Sequence, residues 1–410
     1  MLARLKAAGA NPHATALVRA VAGSVRCPEP PSADPLGLAA HLDATYRWVC
    51  RAQDARPDGG VSGIFDLVRG TWSASYPETT GYTIPTLLSL ASVSGDDEAY
   101  ERALRMADWC SEVQMQDGAV LSGLLGMPRG PAVFNTGQVI FGWVAAYERS
   151  GREHYADCAR RACDWLVANQ SADGAWRANL SMMTTAPVNT YNARCAWAMA
   201  YAGRALGEPR FVAAAEQACD WVLTQQNDGG WFHHAGFAVD EVPLLHTISY
   251  VIEGLQGVHA FGGDQRYLDA ARRAVDAILR RYAAGPVAGR LDAQWRPTVS
   301  WRCPTGEAQI AIVLHRLAPH FPDGGYLEAG QRLVAGVAAV QLSLSAGAPL
   351  RPGGGPAVGG VPGSYPVWGG YVRFGLPNWA AKFFLDALLQ ASRGADEHGF
   401  PTPLTDMPLR

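Results

Sequence analysis

The sequence repeats itself about every 56 residues, and this period constrains the fold more than any other feature. At five positions a threonine precedes an apolar segment with helical spacing, and a sixth segment of the same kind begins with Pro377 and Asn378. The five threonines are Thr80, Thr136, Thr190, Thr247 and Thr305. They are 56, 54, 57 and 58 residues apart. A fixed period of this length is typical of stacked helical units.

A second series of segments alternates with the first. Its members are apolar along one stripe and carry Arg and Glu elsewhere, as helices with one solvated face do. They predict six outer helices near 41–53, 98–114, 153–169, 209–226, 265–282 and 325–342. The segments that follow the threonines predict six inner helices near 80–93, 136–149, 190–205, 246–261, 305–317 and 378–391. Six alternating pairs favour an all-α (α/α)6 toroid, and an open solenoid is the competing arrangement.

The boundaries of this pattern divide the chain into three parts. We expect a helix and linker over 1–40, a single toroidal catalytic domain over 41–393, and a tail over 394–410. With 48% hydrophobic and 17% charged residues and a net charge of −3, the chain reads as a soluble globular protein. Neither nucleic acid nor a membrane surface is indicated as a partner, and no segment is long and apolar enough to span a bilayer.

The eight cysteines form no CxxC pair and no zinc-finger spacing. They are expected to be reduced thiols of a cytoplasmic protein, and no metal or other cofactor is indicated. The oligomeric state stays open.

Loop lengths indicate where a functional site lies. Connections from inner to outer helices are short, whereas those from outer to inner helices run about 20 to 35 residues and meet where the inner helices begin. Long loops in compact domains tend to carry function. The Gly-rich stretch 344–376 is either a disordered insertion or a flap that closes on a ligand, and its terminal aromatic residues favour the flap.

Two turns after outer helices fit the pattern QxxxGxW, at 170–176 and 225–231. The chain therefore resembles the QW-repeat toroids, which are the terpenoid cyclases and protein prenyltransferases. The DxDD pattern of class II terpene cyclases is missing, and Cys303 lacks the aspartate two residues earlier that a prenyltransferase zinc site implies.

The architecture and its tyrosine-rich mouth also resemble (α/α)6 enzymes that act on sugars, among them uronyl hydrolases, glucuronyl C5-epimerases and polysaccharide lyases. The C-terminal GSYPVWGGYVRFGLPNWAAKFFLDAL resembles the end of toroid proteins from bacterial polysaccharide gene clusters. This resemblance implies a carbohydrate-active enzyme.

Side chains near the inner helix starts are the candidates for catalysis, because carboxylic acids, imidazoles and phenols can move protons. The candidates are Glu78, Tyr82, Tyr191, His246, Tyr250 and Glu307. For proton abstraction at C5 of a uronate, His246 or a tyrosine would be the base and another tyrosine the acid. Hydrolysis would need two carboxyl groups about 5.5 Å apart for retention, or farther apart for inversion, and Glu78 with Glu307 is the obvious pair.

Amides, aromatic rings and a few cations nearby suit recognition of an acidic sugar. The candidates for substrate binding are Tyr76, Asn135, Gln138, Asn189, Asn192, Arg302, Gln309, Trp368, Tyr371, Arg373, Asn378 and Lys382. Each also has a structural interpretation: the tyrosines as packing, Glu307 as first-turn charge, Lys382 as a snorkelling cation. The threonines themselves are expected to be helix N-caps.

The sequence thus predicts a carbohydrate-active enzyme that acts on a uronate-type unit of a poly- or oligosaccharide, as a lyase, an epimerase or a hydrolase. A terpenoid cyclase or prenyl-binding toroid is the first alternative, and a non-catalytic polysaccharide-binding protein is the second.

Overall fold

The computed structural model describes residues 17–18, 20–22, 37–127, 130–283, 285–342 and 355–393. Twelve long helices lie in these ranges. The outer ones are α1 Leu38–Asp54, α3 Asp97–Glu112, α5 Glu153–Ala168, α7 Pro209–Thr224, α9 Gln265–Tyr282 and α11 Tyr326–Ala338. The inner ones are α2 Pro77–Ser94, α4 Val133–Ser150, α6 Ala193–Ala205, α8 Leu245–Gly262, α10 Pro304–Leu317 and α12 Asn378–Arg393. A 3-10 turn, Thr190–Asn192, leads into α6.

The six inner helices form a closed ring. Each packs against the inner helix before it and after it, and α12 contacts both α1 and α2. Two side-chain bonds support this closure: Thr86 Oγ1 donates to Asp386 Oδ1 at 2.8 Å, and Asn378 Nδ2 donates to the Ser62 carbonyl at 3.0 Å. The predicted all-α (α/α)6 toroid is therefore confirmed, and the open solenoid is not what the chain forms.

Inner and outer helices differ in how they are buried. In α8 the side chains from Leu245 through Val258 are all buried, whereas α9 buries a single stripe. Close approach within the inner ring depends on glycine. A Cβ on Gly257 would lie 2.0 Å from the Trp197 ring, so only glycine fits there.

The Gln- and Gly-containing turns connect neighbouring outer helices through hydrogen bonds of the glutamine side chain. Gln170 Nε2 donates to the carbonyl of Gly174 in its own turn and to that of Ala214 in α7, both at 2.9 Å. Gln226 makes the same two bonds, at 3.0 Å within its turn and at 2.8 Å to α9. The second copy is therefore centred on Gln226 rather than on Gln225, one residue later than the pattern QxxxGxW suggests.

The repeated threonines do not cap the helices. Helix α2 begins at Pro77 with Tyr76 as its N-cap residue, and Thr80 lies one turn inside. Its hydroxyl donates to the Tyr76 carbonyl at 2.8 Å and accepts the Val61 N–H at 2.9 Å. Thr136 in α4 makes the equivalent pair of bonds. The N-cap prediction was wrong for Thr80 and Thr136 because α2 and α4 each start three residues before the threonine, whose hydroxyl instead binds the preceding loop. The other three threonines are not N-cap residues of their helices either.

A small antiparallel sheet, which the sequence pattern did not reveal, joins the first long loop to the last. Its strands are β1 Ile64–Asp66, β2 Thr71–Trp72 and β3 Gly375–Pro377, in the order β2-β1-β3. Phe65 lies opposite both Trp72 and Leu376. The sheet therefore holds loops from opposite ends of the chain together beside the starts of α2 and α12.

Among the described residues, no helix has the length and apolar character needed to cross a bilayer. The seven described cysteines are free thiols. The expectations for 1–16, 23–36, 343–354 and 394–410 lie outside the described residues.

Candidate functional site

A cavity of about 240 Å³ opens where the inner helices begin. The starts of α2, α4, α8 and α12 line it, together with the turn before α6 and several of the long loops. Six of the predicted site residues line this cavity. They are Tyr76, Glu78, Tyr191, His246, Tyr250 and Tyr371.

Glu78, in the first turn of α2, is the carboxylic acid of this cavity. Its side chain is buried, and Tyr76 donates a 2.6 Å hydrogen bond from its hydroxyl to Oε2. Burial raises the pKa of Glu78 to about 7, because removing the carboxylate from water disfavours its charge more than the Tyr76 bond and the charge of Arg194 favour it. Near neutral pH, Glu78 can therefore hold a proton and give it up.

His246, the second residue of α8, is shifted in the opposite sense. Burial lowers its pKa to about 4, against the opposing effect of a hydrogen bond with Gln309. The imidazole is therefore neutral at neutral pH. Its Nδ1 lies 2.5 Å from Gln309 Oε1, so the state of its other nitrogen depends on which partner donates this bond.

A chain of buried polar groups beneath the cavity settles that question. Gln309 Nε2 donates to Glu253 Oε2 at 2.9 Å, and Arg194 donates to the same oxygen at 2.8 Å in an ion pair. A carboxylate can only accept, so the Gln309 amide must turn its nitrogen towards Glu253 and its oxygen towards His246. The proton of His246 is thereby assigned to Nδ1, and Nε2 carries a lone pair that can accept a proton.

Gln138 completes this buried network, because its Oε1 accepts a 2.8 Å bond from Arg194 Nε. Gln138 and Gln309, predicted to bind substrate, thus lie below the cavity and contact the polar network instead. Arg194 also lies 5.4 Å from the centre of the Tyr250 ring.

The cavity phenols are held as neutral groups. Burial is the largest cause that raises the pKa of Tyr76, Tyr250 and Tyr371 well above the ordinary value. Tyr250 lies 4.4 Å from His246 between ring centroids, and Tyr371 accepts a 2.8 Å bond from Trp379 Nε1. The hydroxyls of Tyr250 and Tyr371 can donate to the oxygens of a ligand, whereas that of Tyr76 already donates to Glu78.

Tyr191 packs edge-on against Phe134, with ring centroids 5.2 Å apart. Tyr82 lies deeper, fully buried below Glu78 and 5.2 Å from Lys382 Nζ measured to the ring centroid. Tyr191 thus borders the cavity, whereas Tyr82 belongs to the layer beneath it.

Buried amides next to the lining residues lack regular partners. Neither amide atom of Asn192 makes a hydrogen bond within the described chain. Asn135 lies beside the Tyr76 hydroxyl, yet its contacts fall short of hydrogen-bond geometry there. Asn189 Nδ2 donates to the Gly236 carbonyl at 2.9 Å, while its oxygen has no partner among the described residues. Buried polar groups are nearly always paired, so these amides suggest a polar ligand or water.

The start of α10 contributes nothing to the cavity. Glu307 is fully buried and accepts two hydrogen bonds from Arg302, one of them from Nε at 2.7 Å. The backbone of Arg302 pairs in both directions with that of Tyr365, at 2.7 and 3.0 Å. The structure therefore places this acid and this cation in a separate ion pair, and it does not bring Glu307 together with Glu78.

Four other predicted binding residues also lie outside the cavity. Lys382 is buried one turn inside α12, with Nζ 2.7 Å from Asp386 Oδ2. Asn378 donates to the Ser62 carbonyl and to Thr79 Oγ1, which are structural bonds. Trp368 and Arg373 are exposed on the final loop.

Sequence reasoning missed two parts of the site. The first is the pair Arg194 and Glu253, whose signal was available because charged residues in otherwise apolar inner helices are rare unless they pair. The second consists of two loops, 123–127 and 181–183, that bring apolar side chains to the cavity. No Arg or Lys occurs among the described residues that line it. Within the described ranges, no cluster of metal-ligating side chains is found.

Fold and cavity together define a class: an (α/α)6 toroid with a small cavity at the inner helix starts, lined by a carboxylic acid, an imidazole and several phenols. Solved structures of the same fold include the unsaturated glucuronyl hydrolase from Bacillus sp. GL1, responsible for the degradation of glycosaminoglycan. It is 18% identical, with a TM-score of 0.69 over 87% of this chain and 97% of that one.

Two further toroids show similar agreement. The cellobiose 2-epimerase from Bacillus thermoamylovorans is 12% identical, with a TM-score of 0.64 over 85% of this chain and 97% of its own. A D-mannose isomerase is also 12% identical, with a TM-score of 0.66 over 87% and 97%. At these identities the likeness shows the fold. No protein-family model matches the sequence, and no curated protein matches it.

Proposed function

We propose that this protein is a carbohydrate-active enzyme that acts on a uronate-type sugar unit of a poly- or oligosaccharide by proton transfer at C5, as a lyase or an epimerase. One observation carries the proposal. Glu78 and His246 line the same small cavity, and burial moves their pKa values in opposite directions, to about 7 and about 4. Groups displaced in this way are suited to act as an acid and a base near neutral pH.

In the proposed reaction His246 Nε2 accepts the C5 proton. In a lyase, the electron pair left at C5 forms the C4–C5 double bond as the C4–O4 bond breaks, and a cavity phenol such as Tyr371 gives its proton to the departing O4. In an epimerase, the phenol instead returns a proton to the opposite face of C5.

Glu78, protonated, donates a hydrogen bond to the uronate carboxylate and so stabilises the negative charge that develops on it. The phenol of Tyr250 is a further donor to the same group, whereas the single O–H of Tyr76 donates to Glu78 Oε2. The positive charge of Arg194 lies beneath the Tyr250 ring. The amides of Asn135 and Asn192 would accept and donate bonds to sugar hydroxyls.

The alternative reactions lack equivalent support. Hydrolysis by two carboxyl groups needs a second acid in the cavity, and Glu78 is the one carboxyl group among the described lining residues. A terpenoid site would be expected to place an acidic cluster above an apolar floor, and the described cavity has a single acid. The resemblance to terpenoid cyclases stays a prediction.

The proposal is tested by incubating the protein with uronate oligosaccharides in D2O. Exchange of the C5 proton for deuterium by NMR would support it. Absorbance from new unsaturation identifies a lyase, and inverted C5 configuration without unsaturation identifies an epimerase. Release of reducing ends alone would indicate hydrolysis. Tight binding with no chemical change would indicate a binding protein and overturn the proposal.

The toroid over 41–393 would be the catalytic domain. A cytoplasmic location is proposed on the free thiols of the described cysteines. The proposed partner is the anionic carbohydrate itself. The described part of the final loop, 355–376, contributes Tyr371 and Val372 to the cavity, and its movement as a flap stays a prediction.

A further inference from the structure

The cavity has an apolar part that the proposed chemistry does not use. Leu124 and Met127 from one loop, and Met182 and Met183 from another, line it alongside Phe237. We call these five side chains the apolar rim. A hydrogen bond of 2.8 Å from the Met182 N–H to Ser122 Oγ joins the two loops.

Two side chains of the apolar rim are open to solvent, Met183 at 56% and Met127 at 39% exposed, and the other three are half-buried. Leu125, which lies beside the rim without lining the cavity, is 40% exposed. Met183, Met127 and Leu125 account for three of the ten exposed large hydrophobic side chains in the described parts of the chain. Scattered exposed apolar residues are normal, but a cluster at the edge of a cavity marks a binding surface.

Size and chemistry indicate what the rim contacts. The cavity, at about 240 Å³, is smaller than the roughly 300–1,000 Å³ of sites that enclose a drug-sized ligand. One sugar unit at Glu78 and His246 would therefore leave the group attached to it outside, over the rim. Methionine side chains are flexible and polarisable and adapt to apolar ligands without a fixed shape.

We infer that the saccharide substrate carries an apolar aglycone, a flexible hydrocarbon chain linked to the uronate unit that enters the cavity, and that this chain lies along the apolar rim. This inference rests on the proposed function, because it takes the sugar to occupy the polar part of the same cavity. The two ends of the ligand are then recognised separately: hydrogen bonds orient the sugar, and buried methylene groups add affinity.

Calorimetry with methyl, butyl, hexyl and octyl β-D-glucuronides tests this, each kept below its micelle concentration. Each methylene that leaves water contributes up to about fourfold in affinity. Because the rim is half-exposed, we expect about twofold per methylene up to butyl or hexyl, and a plateau beyond it.

A double variant, Met127→Ser with Met183→Ser, should at least halve the gain per methylene and leave binding of the methyl glycoside unchanged. Leu327→Ser is the matched control, since Leu327 is also 40% exposed but lies on α11. The gain in affinity per methylene of the Leu327→Ser variant should match that of the wild type.

The outcomes separate the inference from the proposed function. If methyl glucuronide binds with no gain from longer chains, or if the double variant keeps the full gain, the inference fails and the proposed function stands. If added sugar units at the same position raise the affinity and methylenes do not, the inference is also overturned, because the rim then contacts the next sugar unit.

Alkyl β-D-glucosides of the same chain lengths form a second series. If these glucosides show the gain per methylene while the glucuronides do not bind, the uronate assignment fails and binding of the alkyl chain at the rim is supported. If neither the glucuronides nor the glucosides bind, both the inference and the proposed function are overturned.

Discussion

Glu78 and Glu307 occupy similar places in the repeat, yet the fold uses them differently. Both lie in the first turn of an inner helix and both are buried. Glu307 is paired with Arg302, and the Tyr365 backbone secures that arginine. Glu78 has a phenol as its partner and faces a cavity. Equivalent helix starts of one toroid can therefore hold a buried acid either in an ion pair or facing a cavity without an adjacent counter-ion.

The buried environment then acts in two ways. At α10 it strengthens an ion pair that holds the last loop in place. At α2 it raises the pKa of an acid that has no adjacent cation, and the unpaired amides nearby leave polar capacity for a ligand. The same burial therefore surrounds an ion pair in one place and raises the pKa of a lone acid in the other.

The largest expected effect is on the cavity side of this comparison. Glu78→Gln and His246→Asn should each lower kcat/KM for C5 exchange by about 10²- to 10⁴-fold, because each removes a group that transfers or stabilises the proton. Both variants should still unfold in one cooperative transition. Glu78→Gln should be no less stable than the wild type near neutral pH, because it removes a buried acid that is costly to ionise. His315→Asn is the control, since His315 is a buried histidine of α10 outside the cavity. Full activity in either cavity variant would refute the assignment.

The next effect should appear at the ion pair. Glu307→Gln leaves Arg302 buried without its carboxylate and should lower the free energy of unfolding by about 3–5 kcal/mol. Turnover per folded molecule should stay close to that of the wild type. Denaturant titration measures the first and an activity assay the second. Glu328→Gln, which breaks an exposed pair with Arg332, should cost less than about 1 kcal/mol. A large loss of turnover without destabilisation would place Glu307 in the site after all.

The pH dependence of stability should separate the two cavity groups. His246 has a lowered pKa, so its neutral form contributes stability above pH 6.5 that is lost as the pH falls towards 4. Glu78 has a raised pKa, so its protonated form contributes stability below pH 4.5 that is lost as the pH rises towards 7. Each contribution is on the order of 3 kcal/mol, and in the wild type they oppose each other.

Single variants should reveal this opposition. The reference is the double variant Glu78→Gln with His246→Asn. Relative to it, Glu78→Gln keeps His246 and should become more stable as the pH rises from 4 to 6.5. His246→Asn keeps Glu78 and should become less stable as the pH rises from 4.5 to 7. Urea unfolding at half-unit pH steps measures both slopes. Slopes of the same sign would contradict the environments described for the pair.

The smallest effect concerns the residues that orient His246. Gln309→Leu removes the bond to Nδ1 and should lower kcat by about tenfold, as expected for a lost buried hydrogen bond of about 1–2 kcal/mol. It should also allow the Nε2–H tautomer, which nitrogen NMR distinguishes. Gln256→Leu, which removes another buried amide between α8 and α10, should leave the tautomer unchanged. An unchanged tautomer in the Gln309 variant would show that the network does not set it.

Periodicity carried the fold prediction, because a toroid buries its inner helices on all sides and its outer helices on one. The spacing of segments therefore predicted the twelve helices, and the lengths of the loops between them predicted the end of the toroid at which the cavity opens. It could not separate Glu78 from Glu307, since both follow the same repeat. The difference comes from Arg302, which a loop delivers to α10 and which has no counterpart beside Glu78.

Contacts between side chains far apart in sequence could not be predicted from the sequence either. Gln309 lies 63 residues from the histidine that it orients, and no local pattern marks that contact. The threonines illustrate the opposite error. Thr80 had the residue type and position of an N-cap, but the loop before α2 needed its hydroxyl, which only tertiary structure reveals.

The proposed chemistry depends most on the opposed protonation states of Glu78 and His246. An NMR titration of protein labelled at glutamate carboxyl carbons and histidine nitrogens measures them directly. We predict one glutamate that titrates near pH 7 and is missing from Glu78→Gln, together with one histidine that stays neutral, with its proton on Nδ1, down to about pH 4. A Glu78 signal that titrates at the ordinary value near 4.5, or a His246 that is protonated at neutral pH, would contradict the account.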